Sequence, residues 1–247
     1  MLSVLVLVLL VILLFVVGFV WYYYWIDHHF VKTWIKDNNF VLPIYIISLE
    51  KHHYDRLLPL LARIKPNKAY EIRDTYALDG QTDVIEAFLS KGQIGCWQSH
   101  VYMWRQIVTS NDNIALVLED DANIELPKML PHIITVLANI PSDFDLCFLG
   151  GYYGDTENLS TVRVAPSLVK VENSPIYGTH AYLITHTAAT KLLNMSSGFN
   201  TSLKQCSYNG VDPVDHWMTL SSRTLNIYKT DPFIINTIGD GVSDTSR

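Results

Sequence analysis

Cysteine is scarce and scattered. The 247 residues contain only Cys96, Cys147 and Cys206, with no CxxC pair, which excludes a disulfide scaffold and a cysteine-type zinc site. Cys96 and Cys147 stand in apolar runs and are expected to act as small buried hydrophobes. Positive charge is also short, with 18 Lys and Arg against 24 Asp and Glu and a formal net charge of −6. Nucleic acid demands a basic footprint, so it is excluded as a partner. None of the nine histidines falls in an HxH or HExxH pattern, which ranks a metal phosphohydrolase last. Internal repeats are missing, and 49% hydrophobic with 17% charged residues is no disordered polyampholyte.

Charge is absent altogether from Met1 to Ile26; Asp27 is the first charged residue. As a helix this run would extend roughly 39 Å, beyond the ~30 Å hydrocarbon core of a bilayer. Trp21, Tyr22, Tyr23, Tyr24 and Trp25 close it like an interfacial aromatic belt. No basic n-region and no small-residue cleavage site accompany it, so a membrane anchor is favoured over a cleaved signal. Residues 1–26 are thus expected to be a transmembrane anchor, 27–41 a stem and 42–247 one soluble domain, giving a single-pass membrane protein. Lys32 and Lys36 beyond the anchor are offset by Asp27 and Asp37, which leaves its orientation open.

The domain alternates strands and helices. Strands are expected at Leu42–Leu49, Ala69–Ala77, Ile114–Leu118, Asp145–Leu149 and Ala181–Thr185, from apolar, β-branched runs bounded by turn residues. Helices are expected at Lys51–Ile64, Gln93–Thr109, Pro127–Ile140 and Thr187–Met195. The fold class is α/β, with polar residues at the strand ends where open α/β sheets place their sites.

Glu119-Asp120-Asp121 is the strongest chemical feature. Three carboxylates directly after a buried strand repel one another unless a cation or basic group neutralises them. Oxygen clusters of this kind suit Mg²⁺ or Mn²⁺, which also hold phosphate oxygens. Strand alternation would turn Glu119 and Asp121 one way and Asp120 the other. An acidic helix start is the structural alternative.

The chain resembles glycosyltransferase family 25 in several blocks that follow in order. They are Tyr45-Ile-Ile-Ser48-Leu49 with Arg56, Ala77-Leu-Asp79-Gly80, and Gly92-Gln-Ile-Gly-Cys-Trp-Gln-Ser-His100 with Trp104. Leu116-Val-Leu-Glu-Asp-Asp121, Asp145-Leu-Cys-Phe-Leu-Gly150, His180-Ala-Tyr-Leu-Ile184, Pro213-Val-Asp215 and Ser243-Asp244 follow. Gln93 departs from the acidic residue usual in the family at that helix start. The resemblance implies a single GT-A type domain with a mixed sheet. It also implies a UDP-hexose donor, galactose or glucose, bound through Mn²⁺ or Mg²⁺, and a hydroxyl acceptor on a protein or glycan.

By the same resemblance Glu119, Asp121 and Asp244 would hold the metal, and Ser48, Leu49, Arg56, Asp79, Gly80, His100 and Asp120 would surround the donor. Asp79-Gly80 is equally a plain turn, and His100, among Trp97, Val101 and Trp104, is equally a core histidine. Arg105 is a further phosphate candidate beside Arg56. An inverting transferase needs a carboxylate base for the acceptor hydroxyl. Asp215 on its separate segment suits that role, or else caps the helix that follows. Tyr152, Tyr153 and Trp217 could stack on sugar faces or simply pack. The sequons at Asn158, Asn194 and Asn200 act only in a lumenal domain. A catalytically silent binding or scaffold protein keeping the fold is the competing function.

Overall fold

The computed structural model describes residues 40–79, 89–152, 161–172, 176–196, 213–220 and 224–238. The expected anchor at 1–26, most of the stem, Gly80, Tyr153, Asp244, Asn158 and Asn200 lie outside the described residues. Among the described residues no helix is long and apolar enough to cross a membrane.

Strand β1 (Leu42–Ile47) is buried along its whole length. Such a run is sheltered on both faces, as a central strand must be. It pairs in parallel with β2 (Tyr70–Thr75) on one side and β3 (Ile114–Glu119) on the other. β8 (Ala181–Thr185) then runs antiparallel to β3 and to β5 (Leu146–Phe148). β9 (Ile227–Thr230), β7 (Leu168–Val171) and β6 (Thr161–Ala165) complete an eight-stranded mixed sheet, ordered β2-β1-β3-β8-β5-β9-β7-β6. A small ribbon joins β4 (Ala122–Asn123) to β10 (Asn236–Thr237) just beyond the end of β3.

Alternation along the strands sorts the core into two halves. Ile44, Ile46, Leu116, Leu118 and Leu183 face one side, where they meet α1 (Leu58–Ile64) and α3 (Leu126–Asn139). Tyr45, Ile47, Val117, Phe148 and Tyr182 face the other, against α2 (Lys91–Ser110), α4 (His186–Met195) and α5 (Val214–Leu220). The mixed α/β class is therefore as expected, and every strand and helix named from the sequence is present to within a few residues.

Two departures are instructive. The Lys51–Ile64 helix is not uniform: a 3₁₀ turn at Glu50–His52 and a π turn at His53–Leu57 precede α1. Wide turns of this kind are frequent at functional sites, and this one carries Arg56. The sequence pattern also passes over β6, β7 and β9. β9 lies in the middle of the sheet although Lys229 interrupts its apolar pattern; the Lys229 ammonium sits 5.0 Å from the Phe233 ring centroid, a cation–π arrangement that lets a long side chain enter a core strand.

Helix α2 shows how its unusual Gln93 is accommodated. The Ser90 hydroxyl accepts the Gln93 N–H at 3.2 Å, and the Gln93 side-chain oxygen accepts the Ser90 N–H at 2.8 Å. This capping box needs only an acceptor at its third position, which an amide supplies as well as a carboxylate.

Candidate active site

β3 ends at Glu119, and Asp120-Asp121 form the turn that leads into β4. The turn breaks strand alternation, so all three carboxylates line one cleft of about 310 Å³. Their partners still differ. Asp120 accepts the Ser48 hydroxyl at 2.7 Å and lies 3.6 Å from the Arg56 guanidinium. Glu119 accepts the Thr179 hydroxyl and sits 3.5 Å from Nε2 of His100. Asp121 Oδ1 is buried with no hydrogen-bond partner among the described residues.

The electrostatics follow from this geometry. Burial, followed by repulsion from Glu119 and Asp120, pushes the Asp121 carboxyl up to about 7. Asp120 is also raised by burial, against the opposing pull of Ser48 and Arg56. Burial works to raise Glu119 too, but its contacts with His100, Thr179 and His180 outweigh it and hold it below its ordinary value. A buried carboxylate oxygen without a donor is costly, and an all-oxygen donor set is what a hard divalent cation takes. The residues present therefore fit Mg²⁺ or Mn²⁺.

A chain of hydrogen bonds stands behind Glu119. The Trp104 indole N–H donates to Tyr182 Oη at 3.1 Å, Tyr182 Oη lies 2.8 Å from His100 Nδ1, and His100 Nε2 lies 3.1 Å from Thr179 Oγ1. Thr179 gives its one proton to Glu119, so Nε2 must carry the hydrogen of the His100–Thr179 bond and Nδ1 accepts from Tyr182. His100 is fully buried. It is thus a core histidine and a support of the acidic site at once, which removes the choice between the two expectations.

Basic side chains share this cleft. Lys51, His52, Arg56 and Lys91 line the cleft together with Leu49, Gly92 and Gly95. Lys91 and Gly92 open α2, whose positive dipole end favours an anion there. Ser99 donates to the Gly95 carbonyl at 2.7 Å and accepts the Leu78 N–H at 2.9 Å, pinning the 77–79 segment to α2. Asp79 lies on this rim, mostly exposed and 3.6 Å from Lys91. A second cleft of about 660 Å³, lined by Ser48, Glu50, Thr75 and Tyr76, shares Leu49, Lys51, Leu78 and Asp79 with the first.

Asp215 stands in the first turn of α5. Its carboxylate accepts the Gly178 N–H at 2.8 Å and its neighbour His216 N–H at 2.9 Å. Asp215 lies inside α5 and not at its N-cap position, and neither bond is to a capped N–H two or three residues on; the Gly178 bond ties α5 to the segment bearing Thr179. Arg105 is exposed on α2, away from the cleft lining. Tyr152 is half exposed, with its hydroxyl 2.6 Å from Thr237, whereas Trp217 packs against Trp97 and Trp104.

Sequence reasoning misses Lys51, His52, Lys91 and Thr179, and it takes Cys96 for a plain hydrophobe. Cys96 is only half-buried and lines the cleft, with its sulfur in one cluster with His100 and Glu119. The available signal was the four-residue spacing of Cys96 and His100, which places both on one helix face. No sequence signal marks Thr179: it reaches Glu119 through the antiparallel pairing of Leu118 with Ala181, which brings the start of β8 to the end of β3.

Known proteins bear on this geometry. The profile described as "Glycosyltransferase family 25 (LPS biosynthesis protein)" matches residues 41–218. A "Glycosyltransferase 25 family member" of Aedes aegypti is 30% identical over 185 residues, covering 67% of this chain and 30% of its own. "Procollagen galactosyltransferase 1" of Danio rerio is 28% identical over 155 residues, covering 60% of this chain and 25% of its own. "Probable inactive glycosyltransferase 25 family member 3" of Bos taurus is 32% identical over 107 residues, 42% of this chain and 18% of its own. The chain thus spans less than a third of the length of these relatives. The match runs from the start of β1 into α5 and takes in the whole of the β3 carboxylate turn, and on that breadth the chain belongs to glycosyltransferase family 25.

Proposed function

We propose that this chain is a metal-dependent hexosyltransferase that moves galactose or glucose from a UDP-sugar to a hydroxyl on a protein or glycan, with inversion. The observation that carries the reading is the buried Asp121 oxygen, inside a carboxylate turn and without a hydrogen-bond partner among the described residues, in one cleft with Lys51, His52, Arg56 and Lys91. Glu119 and Asp121 would hold Mn²⁺ or Mg²⁺, which when bound supplies neutralisation of the diphosphate leaving group. The basic side chains and the start of α2 bind the remaining phosphate charge, and Asp120, held by Ser48 and Arg56, keeps Arg56 oriented towards the cleft. Asp79, on the rim, is proposed as a donor contact; Gly80 and Asp244, outside the described residues, are proposed as a further donor contact and a further metal ligand. Asp215 is the proposed base for the acceptor hydroxyl. The sheet and its strand-end site accord with a GT-A arrangement.

Residues 1–26 are proposed to anchor the chain as a single-pass membrane protein. A catalytically silent role is the second reading, because one relative at 32% identity is named as probably inactive. Titration of UDP-galactose and UDP-glucose with and without Mn²⁺, scoring both binding and turnover, tests the proposal. Metal-dependent turnover is expected. Donor binding without turnover for any acceptor hydroxyl supports a silent binding protein, and absence of metal-dependent binding overturns the transferase reading and leaves the scaffold one.

A further inference from the structure

One group of side chains in the cleft wall is unsuited to a hard cation. Cys96 and His100 lie one turn apart on α2, and with Glu119 they offer a sulfur, a nitrogen and an oxygen that all lie within 4.8 Å of one another. His100 Nε2 and Glu119 Oε1 are 3.5 Å apart. Bonds of about 2.0–2.3 Å in a tetrahedron put neighbouring ligands roughly 3.3–3.8 Å apart, so this edge already has the required length. The Cys96 sulfur lies within 4.8 Å of both other ligand atoms, so its side chain must turn towards them to complete the set.

The surroundings also match. Metal-bound histidines use their second nitrogen to hold an outer partner, and His100 Nδ1 has Tyr182 Oη at 2.8 Å. Cys96 and Glu119 line the cleft while His100 is buried behind them, so a fourth position faces open space. Thiolate and imidazole select zinc over manganese or magnesium.

We propose that Cys96, His100 and Glu119 form a site for Zn²⁺, three-liganded by the protein and open to the cleft at its fourth position. On binding, the Cys96 thiol gives its proton to solvent. The His100 proton moves from Nε2 to Nδ1, where it is donated to Tyr182 Oη; Thr179 keeps its bond to Glu119. Glu119 is shared between this site and the proposed hard-cation pair with Asp121, so zinc would compete for that carboxylate and should inhibit the proposed transferase. That consequence rests on the donor-site reading; the binding itself does not.

Co²⁺ tests the binding without any turnover assay, because thiolate ligation produces a sulfur-to-cobalt charge-transfer absorption. The full chain should show this band on titration with Co²⁺ alone and lose it when Zn²⁺ is added. Cys96→Ser should abolish the band and weaken Zn²⁺ at least about tenfold, the lower range for disturbing even an outer partner. Cys206→Ser should leave both unchanged, and Tyr182→Phe should weaken Zn²⁺ while keeping the band. Far-UV circular dichroism checks folding of each variant. A wild-type chain without the band, or a band that survives Cys96→Ser in a folded protein, overturns the proposal whatever the glycosyltransfer assays give.

Discussion

Asp121 is where the chain's charge is least comfortable. Its carboxyl is raised from an ordinary 3.8 to about 7, so the folded state holds a proton that the unfolded chain releases. Stability in metal-free protein should then be greatest below about pH 4 for this group and should fall as pH rises towards about 7. Asp121→Asn removes that ionisation. The variant should lose metal-dependent turnover, yet its melting temperature relative to wild type should improve between pH 5 and pH 8 when metal is absent. Full activity in Asp121→Asn removes the metal assignment, and a pH profile parallel to wild type removes the burial argument. Thr179 acts one contact further out. Thr179→Val deletes the donor to Glu119 and leaves His100 Nε2 facing a methyl group, so Mn²⁺ affinity should drop about 10–100-fold. Thr179→Ser should restore it, as a purely steric role would not require.

At the scale of elements, the turn after β3 and the start of α5 set the chemistry. Pro213-Val-Asp215 was legible as a helix start or a base; Asp215 sits in the first turn of α5, and its backbone partners Gly178 and His216 leave part of the carboxylate's acceptor capacity unused. Asp215→Asn separates the two roles. As the base, Asp215→Asn should keep donor and Mn²⁺ affinity and slow transfer by about 10²–10⁴. A helix-start role alone predicts a stability loss of about 1 kcal/mol with transfer nearly intact. Melting temperature, donor affinity and transfer rate on this one variant decide. Collapse of donor affinity would instead join Asp215 to the metal site, through Gly178 and Thr179. The 3₁₀ and π turns before α1 are the other element that matters, because they set the facing of Arg56 towards Asp120; apolar spacing predicts a helix there but cannot register one extra residue per turn.

For the whole molecule, the core among the described residues begins at Phe40, which packs against the same cluster as Leu42, Ile44 and Leu60. The Leu42 N–H is bonded to the Ala69 carbonyl at 2.8 Å, so the first strand is secured from its first residue. A chain starting at Asn38 should accordingly be soluble and monodisperse and should bind UDP-sugar with the affinity of the full chain. Size-exclusion chromatography and donor titration check this; aggregation or lost donor binding would mean that residues before 38 pack into the domain. Carboxylates, basic side chains and both clefts all lie within residues 47–121. The antiparallel β8 and α5 contribute the supporting groups Thr179, Tyr182 and Asp215.

Much of this could be read from one dimension. Burial periodicity depends on each segment's own residues, so β1, β3 and β8 and the helices between them were legible in Leu42–Leu49, Ile114–Leu118, Ala181–Thr185 and their neighbours. The acidic trio was legible as chemistry because three adjacent like charges need a counter-ion in any fold. Tertiary structure alone decided what those charges meet. His100 and Glu119 are brought together by the packing of α2 on the sheet, and Thr179 reaches Glu119 only because β8 pairs antiparallel with β3. β9 is a core strand because its neighbours cover it, against the local preference of Lys229. Cys96 changes from a filler to a metal-ligand candidate for the same reason: local sequence sets which face a residue takes, whereas partners distant in the chain set what that face touches.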